Sequence, residues 1–247
     1  MLVKSQVKYI QSLGQKKFRD EQGVLVAEGT KIINEFVQAP NMELVQLFAE
    51  NEWLKENLHS LKESGKQQVV ALKDGELGRI SFLSTPNQVL GVFRKPKFEN
   101  EQPEGHICLA LDNIQDPGNL GTIVRIADWF GVRLVICSQH CADLYNPKVV
   151  QAAMGSLCRV QVLYADIAAF LQKWPALPVY GAFLDGMSIT QTAPIQQGIL
   201  VIGNESKGIS EQLRPLIQHR VTIPGTGNAE SLNAAVATGI ILSHLKG

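Results

Sequence analysis

The sequence predicts a two-domain α/β protein, and three observations carry that prediction. Short apolar runs alternate with amphipathic segments along the chain, a pattern typical of sheets covered by helices. The polar stretch 96–105, interrupted by Pro96 and Pro103, separates two patterned regions and is interpreted as a linker. At 247 residues the chain is long enough for two buried cores. We therefore predict a small α/β domain over residues 1–95 and a larger one over residues 106–247.

In the first domain, apolar runs and amphipathic stretches alternate over short distances. An opening helix is predicted over residues 3–13, and later helices are predicted to begin at Thr30, at Glu52 and near Gly75. The strands between them are predicted at residues 24–27, 44–49, 68–72 and 89–93. This order of elements predicts one small sheet with helices packed on it.

In the second domain, the strands are continuous apolar runs, which are expected when a parallel sheet is buried on both faces. They are predicted at residues 106–111, 134–137, 160–163, 179–183, 199–202 and 221–223. The helices between them are predicted to begin near Asn119, Pro147, Asp166, Ser210 and Ser231. The alternation predicts a parallel sheet with helices on both sides.

The charge balance is that of an ordinary globular protein. Lysine plus arginine and aspartate plus glutamate number 23 each, so net charge favours neither nucleic acid nor membrane as a partner. Basic residues are concentrated near the start, where Lys16, Lys17 and Arg19 indicate either a weak RNA footprint or a solvated helix face. No run of about 18 apolar residues is present, which predicts no membrane span. The polar N-terminus lacks an apolar signal core, which predicts a cytoplasmic protein.

The four cysteines are scattered along the second domain, at Cys108, Cys137, Cys141 and Cys158. This usage predicts buried free thiols in a reducing compartment. Cys137, His140 and Cys141 stand close together, but no second ligand pair follows at the spacing of a zinc site. We therefore predict no metal.

Three polar clusters follow three of the predicted strands of the second domain. They read DNIQDPGNLGTIVR at 112–125, IGNESKG at 202–208 and IPGTGNAESLN at 223–233. In the first cluster, a proline and a glycine predict a turn, and Asn119 is predicted to cap the helix that carries Arg125.

The glycines of the second cluster, Gly203 and Gly208, permit the backbone to approach a flat ligand closely. In the third cluster, Glu230 and Ser231 can cap the last helix with no ligand present. Taken alone, Arg125 could equally form an ordinary surface ion pair.

In order and spacing, the three clusters resemble the motifs of the SpoU (TrmH-type) branch of the SPOUT RNA methyltransferases. Those enzymes transfer a methyl group from S-adenosylmethionine to a ribose 2′-hydroxyl. The resemblance implies a trefoil knot in the parallel-sheet domain and a homodimer formed through that domain. More loosely, residues 16–29 resemble the substrate-binding domain that precedes many SpoU catalytic domains, which is similar to a small ribosomal-protein RNA-binding fold.

The resemblance also implies a role for individual residues. The residues implied in catalysis are Asn119, Arg125, Glu205, Ser231 and Asn233. The residues implied in binding S-adenosylmethionine, with no metal, are Ile202, Gly203, Asn204, Gly208, Ile223 and Leu232. The residues expected to bind RNA are Lys16, Lys17, Arg19 and Arg125. Ser206 departs from the glycine that is usual in the family motif.

The implied activity is ribose 2′-O-methylation of structured RNA, and the separate first domain favours ribosomal RNA over transfer RNA. The alternative is an RNA-binding or ribosome-associated protein with a degenerate methyltransferase fold, against which the complete reactive set argues. The third cluster does not match a dinucleotide-binding fingerprint, because Glu230 occupies the position of the third glycine. The second cluster does not match a nucleotide phosphate-binding loop, because Ile209, and not lysine, follows Gly208. Methylation of a substrate other than RNA stays open.

Overall fold

The computed structural model describes residues 2–61, 63–99 and 101–246. This part of the chain divides into two compact units. The first comprises the described residues up to Phe98 together with Tyr145–Cys158, and the second comprises Glu99–Leu144 with the described residues from Arg159 onward. Tyr145–Cys158 therefore belongs to the first unit, although the sequence analysis places it in the second domain.

Helices occur in both units of the described chain. In the first unit they are α1 (Lys4–Ser12), α2 (Lys16–Gln22), α3 (Thr30–Gln38), α4 (Asn51–Asn57), α5 (Glu63–Lys66) and, later in the chain, α7 (Pro147–Ala153). In the second unit they are α6 (Pro117–Trp129), α8 (Ile167–Lys173) and α9 (Ala234–Lys246). No helix in the described ranges is both long and apolar enough to cross a membrane.

The first unit contains a four-stranded sheet in the order β1-β4-β2-β3. Strand β4 lies antiparallel to both of its neighbours, and β2 and β3 are parallel. The strands are β1 (Val24–Glu28), β2 (Leu44–Glu50), β3 (Val69–Leu72) and β4 (Val89–Arg94). The rings of Phe36 and Phe93 meet edge to face with their centroids 5.3 Å apart, which anchors α3 to this sheet.

The second unit contains a six-stranded sheet in the order β10-β8-β9-β5-β6-β7, and all neighbouring strands are parallel. The strands are β5 (Ile107–Leu111), β6 (Leu134–Cys137), β7 (Gln161–Tyr164), β8 (Val179–Ser188), β9 (Gly198–Ile202) and β10 (His219–Thr222). The central strands β5 and β9 are buried along their whole length. The predicted α/β class and parallel sheet are confirmed, whereas the trefoil knot stays a prediction.

Two predicted helices are not α-helices. Near Gly75 the chain makes only a short 3₁₀ turn, Leu77–Arg79, because two glycines within four residues disfavour a helix. After Ser210 it makes only the 3₁₀ turn Arg214–Leu216. Pro215 restricts the residue before it and cannot donate a helical hydrogen bond, so an α-helix from Ser210 cannot propagate.

The expectation that Arg19 binds RNA is wrong for this conformation. Its side chain is only 1% exposed, and its guanidinium Nη1 donates to the carbonyl of Leu13 at 2.6 Å. Leu13 follows α1, where backbone carbonyls lack helical partners, so Arg19 satisfies the end of one helix from the next. Lys16 and Lys17 of the same basic run are exposed.

Candidate active site

The three polar clusters meet at one edge of the second sheet. They follow β5, β9 and β10 directly, and these strands run in the same direction within the sheet. Because the carboxyl ends of parallel strands lie at the same edge, the topology brings residues 112–125, 202–208 and 223–233 together. We call the segments 112–116, 203–209 and 223–233 the first, second and third loops.

The first loop is held by a buried carboxylate. Asp112 is 2% exposed, and its side chain accepts hydrogen bonds from Ser210 N and from Asn113 Nδ2, both at 2.8 Å. At the other end of the loop, Asp116 caps α6 by accepting from Asn119 N at 2.8 Å. The prediction that Asn119 is this cap is therefore wrong. Asn119 lies in the first turn of α6, so its side chain is not used for capping.

The side-chain amide of Asn119, on the helix that follows the first loop, joins the second loop to the third. Its Nδ2 donates to Glu205 Oε1 at 2.5 Å, and its Oδ1 accepts from Asn233 Nδ2 at 2.8 Å. Each amide thus donates in the same direction, toward the Glu205 carboxylate, which can only accept when ionised. This chain of hydrogen bonds sets the orientation of both amides before any ligand binds.

Asn233 has a second function at the start of α9. Its Oδ1 accepts from Ala235 N at 2.9 Å and from Val236 N at 3.3 Å, so Asn233 is the cap of this helix. The helix begins at Ala234 and not at the predicted start near Ser231. The alternative in which Glu230 and Ser231 cap this helix is therefore wrong. Ser231 is exposed, and its hydroxyl has no hydrogen bond to another described residue.

The second loop closes on itself tightly. Backbone hydrogen bonds join Asn204 and Gly208 in both directions, at 3.2 and 2.8 Å. A Cβ atom on Gly203 would lie 2.3 Å from the carbonyl carbon of Gly208 and 2.4 Å from Ile209 N. A close approach at Gly203 is therefore made by the protein's own backbone, and its approach to a ligand stays a prediction. Gly208 differs, since its φ is +66° and the space beside its Cα is open.

A cleft of about 770 Å³ lies between the second and third loops and the middle of β8. Glu205 and Ser231 line it, as do all the residues expected to bind the methyl donor: Ile202, Gly203, Asn204, Gly208, Ile223 and Leu232. Asn119, Arg125 and Asn233 are not part of this lining. The predicted donor-binding residues therefore lie together in the cleft. Of the predicted catalytic residues outside it, Asn119 is connected to the cleft by its hydrogen bond to Glu205.

Arg125 is exposed on α6. Within the described ranges it forms no hydrogen bond or ion pair with another residue, so the surface ion pair considered for it is absent there. Its guanidinium is therefore available to a ligand.

Sequence reasoning missed a thiol that supports the first loop. Cys141 accepts from Ile114 N at 3.3 Å and donates to the carbonyl of Leu111 at 3.2 Å. A hydrogen bond with Cys137, helped by Ser138 and Ile114, lowers the pKa of Cys141 to about 7 against the opposing effect of burial. All four cysteines are free and buried, as predicted. In the described part of the chain, no group of three or more histidine, cysteine or acidic side chains could hold a metal ion.

Comparison with family models agrees with this arrangement. Residues 106–243 match the model described as the SpoU rRNA Methylase family. The chain belongs to the SpoU rRNA methylase family. Residues 4–91 match a second model, described as an MRM3-like substrate binding domain.

RNA methyltransferases with similar sequences and structures cover nearly the whole chain. The 23S rRNA (guanosine(2553)-2′-O)-methyltransferase RlmP of Bacillus subtilis is 30% identical over 244 residues, which are 98% of this chain and 96% of the relative. The AdoMet-bound rRNA methyltransferase of Sinorhizobium meliloti superposes with a TM-score of 0.85 at 29% identity, over 99% of this chain and 95% of that one. AviRb of Streptomyces viridochromogenes, a SpoU methyltransferase in complex with AdoMet, superposes with a TM-score of 0.84 at 25% identity. The match covers 98% of this chain and 97% of that one.

Proposed function

We propose that this protein transfers a methyl group from S-adenosylmethionine to a ribose 2′-hydroxyl of ribosomal RNA. The observation that carries the proposal is the chain of hydrogen bonds from Asn233 through Asn119 to Glu205. It joins three separate motifs at one sheet edge and ends on a carboxylate that lines the cleft. The activity of the Bacillus relative, 2′-O-methylation of 23S rRNA, supports the same reaction here.

The cleft fits the methyl donor in size and lining. Its volume of about 770 Å³ lies within the range of about 300–1,000 Å³ that is usual for small-molecule sites. Beside Gly208, Gly225 and Gly227 the space that a Cβ would occupy is open, so a ligand can reach the backbone there. Ile202 and Ile223 supply apolar surface. S-adenosylmethionine supplies a transferable methyl on a positively charged sulfur, and relatives are known with it bound.

The residues around the cleft can align and stabilise the reacting groups. Arg125 can grip an RNA phosphate with two parallel hydrogen bonds and so hold the neighbouring ribose hydroxyl in place. Because a guanidinium stays protonated in proteins, we assign Arg125 to positioning and not to proton removal. Glu205 places a negative charge at the cleft that attracts the sulfonium. Alignment of nucleophile and donor contributes a large part of the catalysis of a direct displacement.

We propose that the first unit binds the RNA. Its match to an MRM3-like substrate binding domain supports this role. Lys16 and Lys17 are exposed and can contact phosphates, whereas Arg19 is removed from the proposed set because it is buried. The domain bounds of 1–95 and 106–247, the linker 96–105 and a location in the cytoplasm stay predictions.

We also propose a homodimer formed through the second unit. Helices α6 and α9 pack against each other, and both expose large apolar side chains. Trp129 is 84% exposed, Val236 50% and Ile240 40%. A monomer rarely leaves such side chains in water on neighbouring elements, so a second copy of this chain is the proposed cover.

The test uses RNA isolated from cells that lack this protein and measures the transfer of a labelled methyl group to it. Purified protein is incubated with isotopically labelled S-adenosylmethionine and with ribosomal or transfer RNA, and nucleosides are analysed by mass spectrometry. We expect label in a 2′-O-methylnucleoside of ribosomal RNA with the wild type. With Arg125→Ala we expect none, at unchanged affinity for S-adenosylhomocysteine.

Label on a base would refute ribose methylation, and label in transfer RNA alone would refute the assigned substrate. If no pool is labelled although S-adenosylhomocysteine binds, the non-catalytic RNA-binding alternative replaces the proposal.

A further inference from the structure

The side chain of Asn204 makes two different sets of contacts. Its Oδ1 accepts from the backbone N of Ser206 at 3.0 Å and of Lys207 at 3.1 Å, which shapes the second loop. Its Nδ2 donates to the carbonyl of Asn113 in the first loop at 2.9 Å. Both side-chain polar atoms of Asn204 therefore have partners within the protein, and its Nδ2 ties the second loop to the first.

Asn113 is held so that its carbonyl faces Asn204. Its φ is +59°, a left-handed conformation that is uncommon for non-glycine residues but that asparagine adopts more readily than most. Two hydrogen bonds hold it there: its side chain donates to the buried carboxylate of Asp112, and its backbone N donates to Ser138 Oγ at 3.0 Å. The acceptor for Asn204 is thus prepared independently of any ligand.

Two neighbouring residues of the second loop hold both ends of the segment from the first loop to α6. Asn204 binds the carbonyl of Asn113, and Glu205 binds the side chain of Asn119. Between these contacts Asp116 fixes the start of α6. The second loop is therefore bonded to this segment at two points, and the second of them is the Asn119 side chain itself.

We propose that Asn204 is a positioning residue that transmits occupancy of the cleft to Asn119. The Asn204–Asn113 hydrogen bond is already formed. A ligand that settles on the backbone of the second loop stabilises this bond against opening, and so keeps the first loop and the Asn119 amide in the arrangement that the structure shows. The inference rests on the proposed function in one respect, namely that the donor binds in the cleft.

The two contact sets can be separated by mutation. In Asn204→Asp the side chain still accepts from the amides of Ser206 and Lys207 but has no donor for Asn113. Asn204→Ser also keeps an acceptor for a nearby amide and is too short to reach Asn113, and it adds no charge. The matched control is Ser206→Asp, which places a carboxylate in the same loop and leaves the Asn204 side chain intact.

The experiment combines calorimetric binding of S-adenosylhomocysteine with hydrogen exchange of backbone amides in residues 112–119. In the wild type we expect the ligand to slow exchange in this segment by about 10-fold, which corresponds to a coupling of about 1.4 kcal/mol. In Asn204→Asp and Asn204→Ser we expect this slowing to vanish while the dissociation constant changes by less than about 3-fold. In Ser206→Asp the slowing should persist.

Three results would overturn the inference while leaving donor binding established: wild-type protection confined to the second loop, protection of 112–119 that survives in both Asn204 variants, or its loss in Ser206→Asp as well. Failure of the wild type to bind S-adenosylhomocysteine at all would overturn the proposed donor site together with the inference. Thermal melts of each variant show whether its fold is intact, and the serine variant decides the matter if the aspartate variant does not fold.

Discussion

Gly203→Ala is expected to destabilise the protein through the second loop alone. The added Cβ would lie 2.3 and 2.4 Å from backbone atoms of Gly208 and Ile209, where no side chain can move aside. Overpacking of this kind lowers the free energy of unfolding by about 2 kcal/mol. In a chain of this length, such a loss lowers the midpoint of thermal unfolding by about 4–8 °C.

The chain offers a graded set of controls for this substitution. Gly225 lines the same cleft, and a Cβ there meets nothing within 4 Å, so Gly225→Ala should leave the midpoint unchanged. Gly208 also has open space but a φ of +66°, so Gly208→Ala should cost about 1 kcal/mol of conformational strain.

Calorimetric or circular-dichroism melts rank the three variants by thermal midpoint. A wild-type midpoint for Gly203→Ala, or an equally low midpoint for Gly225→Ala, would show that the backbone of Gly208 and Ile209 does not exclude a side chain at position 203. Weaker binding of S-adenosylhomocysteine by Gly203→Ala at an unchanged midpoint would instead support the expectation of a direct approach to the ligand.

Three further predictions concern the same unit. Asn119→Ala removes a hydrogen bond to the Glu205 carboxylate, and such a bond contributes about 1.5–3 kcal/mol. The rate of single-turnover methyl transfer should therefore fall by about 10- to 100-fold with little change in affinity for S-adenosylhomocysteine. A wild-type rate would refute the role of this amide. The folded pKa of Cys141, about 7, lies below the unfolded value of about 8.5, so its contribution to stability is lost as the pH falls through 7. Urea titrations should show the wild type gaining stability over Cys141→Ser between pH 6 and 8.5, and a constant difference would contradict this. Trp129→Glu should convert a dimer to a monomer in light scattering, and an unchanged mass would refute the proposed interface.

The central strands β5, β6 and β9 could be predicted from the sequence because burial makes them uniformly apolar. The edge strand β10 is largely exposed and begins with polar residues, so the apolar run predicted at 221–223 covers only its end. Cap positions were harder, since both Asp116 and Asn119 are good caps. The structure uses Asp116, and Pro117 immediately after it was the signal, because proline favours the first helical position. At α9 both Ser231 and Asn233 could serve, and nothing local distinguishes them.

Other features depend on contacts that no local pattern encodes. The burial of Arg19 follows from the position of the Leu13 carbonyl, and the requirement for glycine at 203 follows from the passage of Gly208 beside it. The three motifs can be recognised in the sequence, but the contacts between their residues cannot. These contacts form only at the edge of the folded sheet. They join Asn119 to Glu205 and Asn233, and Asn204 to Asn113.

The partners of Asn119 lie far along the chain, 86 residues away at Glu205 and 114 residues away at Asn233. Contacts of such separation form late in folding because long segments must be ordered before the contacts stabilise anything. The last of them also needs β10 and the start of α9 in place. A chain emerging from the ribosome therefore lacks the complete site until Asn233 has been synthesised, and methyl transfer requires all three loops to be in place.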